Sequence, residues 1–198
     1  MNSLEEYFIA NKGYAVMKDL KNNSFHTRAI SKAVENGIIE KVKPGLYKLI
    51  DYDWDENNSF VDICKAKRDA VICLSSAMQY YNLSTINPQL ITVAVPANTD
   101  KFKLKYPPIK IYYFSKILFP VEIEQVDTEQ GEFKIYSLEK TICDAFRYRN
   151  KIGEDIALEA LKNYLLRKNS NLSKLHKIAK QCKVNSILEP YIKVLVVN

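Results

Sequence analysis

The run from Gly37 to Ile50, GIIEKVKPGLYKLI, constrains the fold more than any other part of the chain. Ile38 to Lys43 alternates with the two-residue period of a strand, Pro44-Gly45 supplies a turn, and Leu46 to Ile50 returns as a second strand. The residues ahead of this hairpin read as three short helices. Ser3-Leu4-Glu5-Glu6 forms a capping box, and Leu4, Tyr7, Phe8 and Ala10 follow it at helical spacing until Gly13. A second helix is predicted over 16–21 with Met17 and Leu20 inward, and Asn22 and Asn23 make the turn. The third is predicted over 24–36 and closed by Gly37, where a left-handed residue ends a helix.

On that third helix Phe25, Ala29, Ile30, Ala33 and Val34 are expected to form the inner face. Thr27, Arg28, Ser31, Lys32 and Glu35 fall on the opposite side. Three helices followed by a basic hairpin is the order of a winged helix-turn-helix, whose third helix has the width of a major groove. Arg28 can donate bidentately to guanine O6 and N7, Thr27 and Ser31 can serve bases or phosphates, and Lys32 a phosphate. Lys41, Lys43 and Lys48 are expected on the wing, against the backbone or minor groove. The alternative is a winged unit that docks a protein partner and has no DNA specificity.

Charge is segregated along the chain. Residues 1–50 carry a net +3, 51–62 a net −5, 63–120 a net +6, 121–144 a net −5 and 145–198 a net +7. Separate cationic faces on a folded body suit a polyanionic partner better than a uniformly cationic polymer binder does.

The acidic stretch 51–59 reads as a linker, and 60–198 as an α+β domain. Within the latter, helices are expected over 60–68, from a Ser75 cap through Tyr81, and from a Ser137 cap to about residue 148. Two or three more follow, over about 154–167, 172–182 and 187–196. Strands are expected over 70–74, 90–95, 109–114, 121–126 and 132–136. The fold class is thus α+β: an N-terminal winged helix-turn-helix over 1–50, then a small mixed sheet with C-terminal helices. Lys101, Lys103 and Lys105 alternate near Lys110, with Tyr106, Tyr112 and Tyr113 interleaved, and are candidates for auxiliary phosphate contacts. Arg147, Arg149 and Lys151 suit the negative end of the Ser137 helix.

Catalytic and metal constellations are weak. The four cysteines, Cys64, Cys73, Cys143 and Cys182, are scattered without C-x-x-C spacing, and only two histidines, His26 and His176, are present. Reduced thiols, no metal and no cofactor are expected. Glu132-Phe133-Lys134 with Asp127 or Asp100 imitates the acid…E-x-K set of metal-dependent nucleases, but Asp127 is too near in sequence and Asp100 lies in a polar loop. Asp53-Trp54-Asp55 precedes Ser75-Ser76, the wrong order for a nucleotidyltransferase, and no nucleophile elbow or phosphate-binding Gly loop is present. No catalytic residue is therefore assigned. The longest uncharged stretch, 70–99, is interrupted by polar residues and Pro, and the N-terminus is acidic rather than signal-like. A cytoplasmic protein without membrane partners is expected.

The run GYAVMKDLKNNSFHTRAISKAVENGIIEKVKPGLYKL resembles the N-terminal domain of AbiEi-type antitoxins, transcriptional regulators of type IV toxin–antitoxin systems. CLSSAMQYYNLST with QLITVAVP is similar to that family's central signature, and YSLEKTICDAFRYRNKIGEDIALEALKNYL to its C-terminal helical stretch. The resemblance implies a repressor of its own operon that reads a promoter inverted repeat, and two copies of the chain, a homodimer on DNA, are expected on such a repeat. It also implies an antitoxin-like 60–198 domain and a neighbouring toxin of the nucleotidyltransferase type, neutralised without necessarily direct contact.

Overall fold

The computed structural model describes residues 3–100, 102, 104 and 106–196. It is a mixed α+β protein of two units. The first comprises Met1–Arg68, Phe102–Pro107 and Val126–Phe133; the second comprises Asp69–Lys101, Pro108–Gln125 and Lys134–Asn198.

The first unit begins with α1 (Leu4–Ala10), whose Ser3–Glu6 capping box forms as the sequence requires. Next come β1 (Tyr14–Val16), α2 (Met17–Asn22), α3 (Thr27–Glu35), β2 (Ile39–Lys43), β3 (Leu46–Leu49) and α4 (Asn58–Ala66). The strands make one antiparallel sheet of order β1-β3-β2. β1 carries no periodicity of its own and is a three-residue strand held in place by pairing with β3. One sheet face carries Ala15, Ile39, Tyr47 and Leu49 into a core with Phe8, Leu20, Ile30 and Ala33 of the three helices. β3 is central, and all four of its residues are buried.

The expected linker is packed. Trp54 stands 5.1 Å from Tyr14 and 4.7 Å from Tyr52 between ring centroids, and its indole N–H donates to the Leu49 carbonyl at 3.2 Å. Gly13 sits under this ring with φ +79°, and a Cβ there would fall 2.5 Å from the indole. The unit boundary therefore lies after Arg68, not within 51–59, and α4 belongs to the first unit.

The second unit contains β4 (Val71–Ile72), α5 (Leu74–Tyr80), β5 (Ile91–Pro96), β6 (Ile109–Phe114) and the outer parts of β7 (Ile123–Thr128) and β8 (Gly131–Tyr136), whose residues 126–133 belong to the first unit. The sheet order is β6-β5-β4-β8-β7, with β5–β6 and β4–β8 parallel and β4–β5 antiparallel. Helices α6 (Leu138–Arg147), α7 (Arg149–Ile152), α8 (Glu154–Leu165), α9 (Leu172–Gln181) and α10 (Asn185–Val196) complete it. Ser137 caps α6 as expected. Ser75 does not cap α5, because that helix starts at Leu74 with Cys73 in the cap position. Instead Ser76 and Thr92 bond each other's backbone amides at 2.9 Å, tying α5 to β5. At the heart of the unit Lys140 is fully buried, donating to Asp144 at 2.6 Å beneath the rings of Tyr136 and Phe114.

Candidate nucleic-acid interface

Helix α3 is fixed from beneath by Ile30 and Ala33, which are 1% and 5% exposed in the core with Phe8, Leu20 and Ile39. The turn leading into it is tight. Ser24 takes φ +66°, the Phe25 amide bonds the Leu20 carbonyl at 3.0 Å, and the Phe25 ring meets Tyr7 edge-on at 5.4 Å. Helical geometry then sends Thr27, Arg28, Ser31 and Lys32 outward, and all four are exposed. Arg28 and Lys32, like Thr27 and Ser31, are four residues apart and so lie one turn above each other. The inner face is narrower than the sequence pattern suggested: Ala29 and Val34 are exposed as well.

The three wing lysines part company. Lys41 is exposed, opposite Tyr47 in the ladder. A register shift follows between Lys41 and Lys43, so that Lys43 stands opposite Leu46 instead. Such a bulge turns the strand and re-aims the residue after it. Lys43 is consequently half-buried, and its ammonium donates to the Ala66 carbonyl at the end of α4, 2.8 Å away.

Lys48 corrects the sequence reading outright. It is 7% exposed, in the central strand, with Tyr14 of β1 on one side and Glu40 of β2 on the other. Its ammonium donates to Asp62 of α4 at 2.7 Å and pairs with Glu40 at 3.1 Å. The Tyr14 hydroxyl, 2.7 Å from both Asp62 and Asn58, completes the cluster. Burial opposes the charge on Lys48, but the Asp62 bond and the two neighbouring carboxylates outweigh it and hold the amine above its ordinary range. Burial pushes the Tyr14 phenol far up, with the Asp62 charge adding to the effect. Lys48 is therefore a structural cation that fastens α4 to the sheet. The signal was present: one Lys in the apolar run LYKLI and one Asp in SFVDIC, each needing a counter-charge once buried.

Lys101, Lys103 and Lys105 lie outside the described residues. Of the interleaved aromatics, Tyr106 and Tyr113 are exposed, whereas Tyr112 is buried edge-on against Tyr148. Arg149 donates to the Phe146 carbonyl at the end of α6, at 2.9 Å.

The weaker chemical candidates gain little. On β8, Glu132 is exposed and Lys134 half-buried on either side of the buried Phe133. Among the described residues no three His, Cys, Asp or Glu side chains converge as metal ligands. Burial pushes the Cys73, Cys143 and Cys182 thiols upward, away from thiolate chemistry. No helix among the described residues is long and apolar enough to cross a membrane.

No family model matches the sequence, and no curated protein matches it. Among solved structures, the crystal structure of the RV2827C protein from Mycobacterium tuberculosis is similar. The match has a TM-score of 0.54 and 9% identity, over 98% of this chain and 79% of the other. At that identity the likeness concerns the α+β fold alone.

Proposed function

We propose that the first unit is a winged helix-turn-helix that binds double-stranded DNA, with α3 in the major groove and the β2–β3 turn as its wing. The observation that carries this reading is the exposed set Thr27, Arg28, Ser31 and Lys32 on a helix anchored by Ile30 and Ala33. The element order α1-β1-α2-α3-β2-β3 and the three-stranded sheet support it. Arg28 is the base reader, Thr27 and Ser31 assist it, and Lys32 and Lys41 hold phosphates. Lys48 is withdrawn from the contact set, and Lys43 contributes from its half-buried position only through charge.

Together with the resemblance to AbiEi-type antitoxins, this makes the protein a repressor of its own operon and the antitoxin of a nucleotidyltransferase-type toxin. It acts by binding rather than catalysis. Two copies on an inverted repeat would sit about 34 Å apart, or a multiple of that spacing. The test is fluorescence anisotropy with the duplex upstream of its own gene. Saturable binding that survives competitor DNA and weakens steeply with salt is expected. Equal, feeble binding to every duplex contradicts the reading and favours a protein-docking role for the winged unit.

A further inference from the structure

Along β2, the edge strand of the first sheet, runs a concavity of about 840 Å³. Sites for small organic molecules span roughly 300–1,000 Å³, apolar for the most part with a few polar groups. Its apolar wall includes Val34 of α3, Ile50 and Tyr106, which are 38%, 45% and 62% exposed. The other large apolar side chains left in water in this unit, among the described residues, are Ile9 and Val16. Three of five thus share one hollow, whereas incidental surface apolar residues are scattered singly.

The charged groups of the hollow separate into two classes. Lys48 and Asp62 satisfy each other, with Glu40 and Tyr14 absorbing what remains, so they form a closed wall. Lys41 has no ion-pair partner among the described residues, and Lys43 spends one N–H on the Ala66 carbonyl and keeps two. The bulge between them turns Lys43 away from the face of Lys41, which leaves Lys41 as the open cation of the hollow.

We propose that this hollow is an effector site for a small amphipathic organic anion: an apolar ring or branched chain against Val34, Ile50 and Tyr106, with its carboxylate on Lys41. Occupancy couples to DNA because Lys41 is drawn from the wing and because Val34 belongs to the helix that carries Arg28. This regulatory half rests on the DNA-binding reading; the binding half does not. By linkage, DNA and the anion weaken each other equally.

The probes are 2-naphthoate and its neutral counterpart 2-naphthamide, titrated into the full chain without DNA and followed by amide chemical shifts. Saturable one-site shifts centred on residues 39–44, Val34 and Ile50 are expected, with the amide bound about tenfold more weakly. Lys41→Gln should erase most of that preference, and Ile50→Glu, at an exposed position, should abolish binding of both. No shifts, or shifts centred elsewhere, overturn the site. Equal affinity for the two probes overturns the anion assignment. With the upstream duplex added, 2-naphthoate should lower DNA affinity; an unchanged affinity at saturating 2-naphthoate overturns the coupling. DNA that is never bound specifically removes the regulatory half and the proposed function together, while the shift titration still decides the site.

Discussion

Replacing Lys48 with Met removes the ammonium from between Asp62 and Glu40. Glu40, with its side chain 47% exposed, can turn to water; Asp62, with its side chain 2% exposed, cannot. Breaking a buried pair from one side costs about 3–5 kcal/mol, because the surviving charge is left without a partner. The Tyr14 hydroxyl remains 2.7 Å from Asp62 and relieves part of this, so the lower end applies, about 3 kcal/mol. Asp62→Leu alone should cost less, about 1–2 kcal/mol, since Lys48 keeps Glu40 and Tyr14 keeps Asn58. In Lys48→Met/Asp62→Leu no buried charge is stranded, and stability should return to within about 1 kcal/mol of the parent. Urea unfolding followed by fluorescence reads this unit selectively. Trp54 is the chain's single tryptophan, it packs on Tyr14, and the Lys48 ammonium lies 5.3 Å from its ring centroid. A loss below about 1 kcal/mol for Lys48→Met, or a double variant no more stable than Lys48→Met, would refute the buried-pair argument.

The same amine sets the alkaline behaviour of the first unit. Its folded value lies above 10.5, so its stabilisation is complete below pH 10.5 and is lost as pH rises through the folded value. The urea midpoint of the parent should therefore fall more steeply above pH 10.5 than that of Lys48→Met/Asp62→Leu, and parallel curves would contradict the assignment. Gly13→Ala meets both a left-handed backbone and the Trp54 ring, and should cost more than about 1 kcal/mol while shifting the Trp54 emission. A neutral effect in the same urea assay would show that the ring is free to move away. Lys41→Ala should weaken binding to all duplexes alike and reduce the salt slope by about one, whereas Lys48→Met should leave the slope unchanged; equal slope changes in anisotropy titrations would return Lys48 to the DNA face.

Local pattern carried most of the first unit. The Ser3–Glu6 box, the Gly37 stop and the alternation on both sides of Pro44-Gly45 are short-range signals, and the helices and hairpin formed where those signals lay. Departures arose where a partner distant in sequence decides. Residues 14–16 become a strand only because β3 lies beside them. Lys48 turns inward because Asp62, fourteen residues on, meets it from α4. Lys43 leaves the face of Lys41 because of a one-residue register shift that alternation alone does not reveal. The acidic composition of 51–59 suggested a tether, but Trp54 outweighs its neighbours by packing edge-on against Tyr14 and tilted against Tyr52. The outward set on α3 was legible as a helical face, while the hollow along β2 was not, since Val34, Ile50 and Tyr106 share it only through tertiary folding.

The reading role of Arg28 is the most direct test of the account. Anisotropy titrations of the parent and Arg28→Ala should be run on the upstream duplex and on versions with each base pair of the protected site replaced in turn. Arg28→Ala is expected to lose about 1–3 kcal/mol on the parent duplex and to become indifferent to one G·C pair that the parent requires. Unchanged affinity with an unchanged pattern of base preference would contradict the placement of α3 in the major groove.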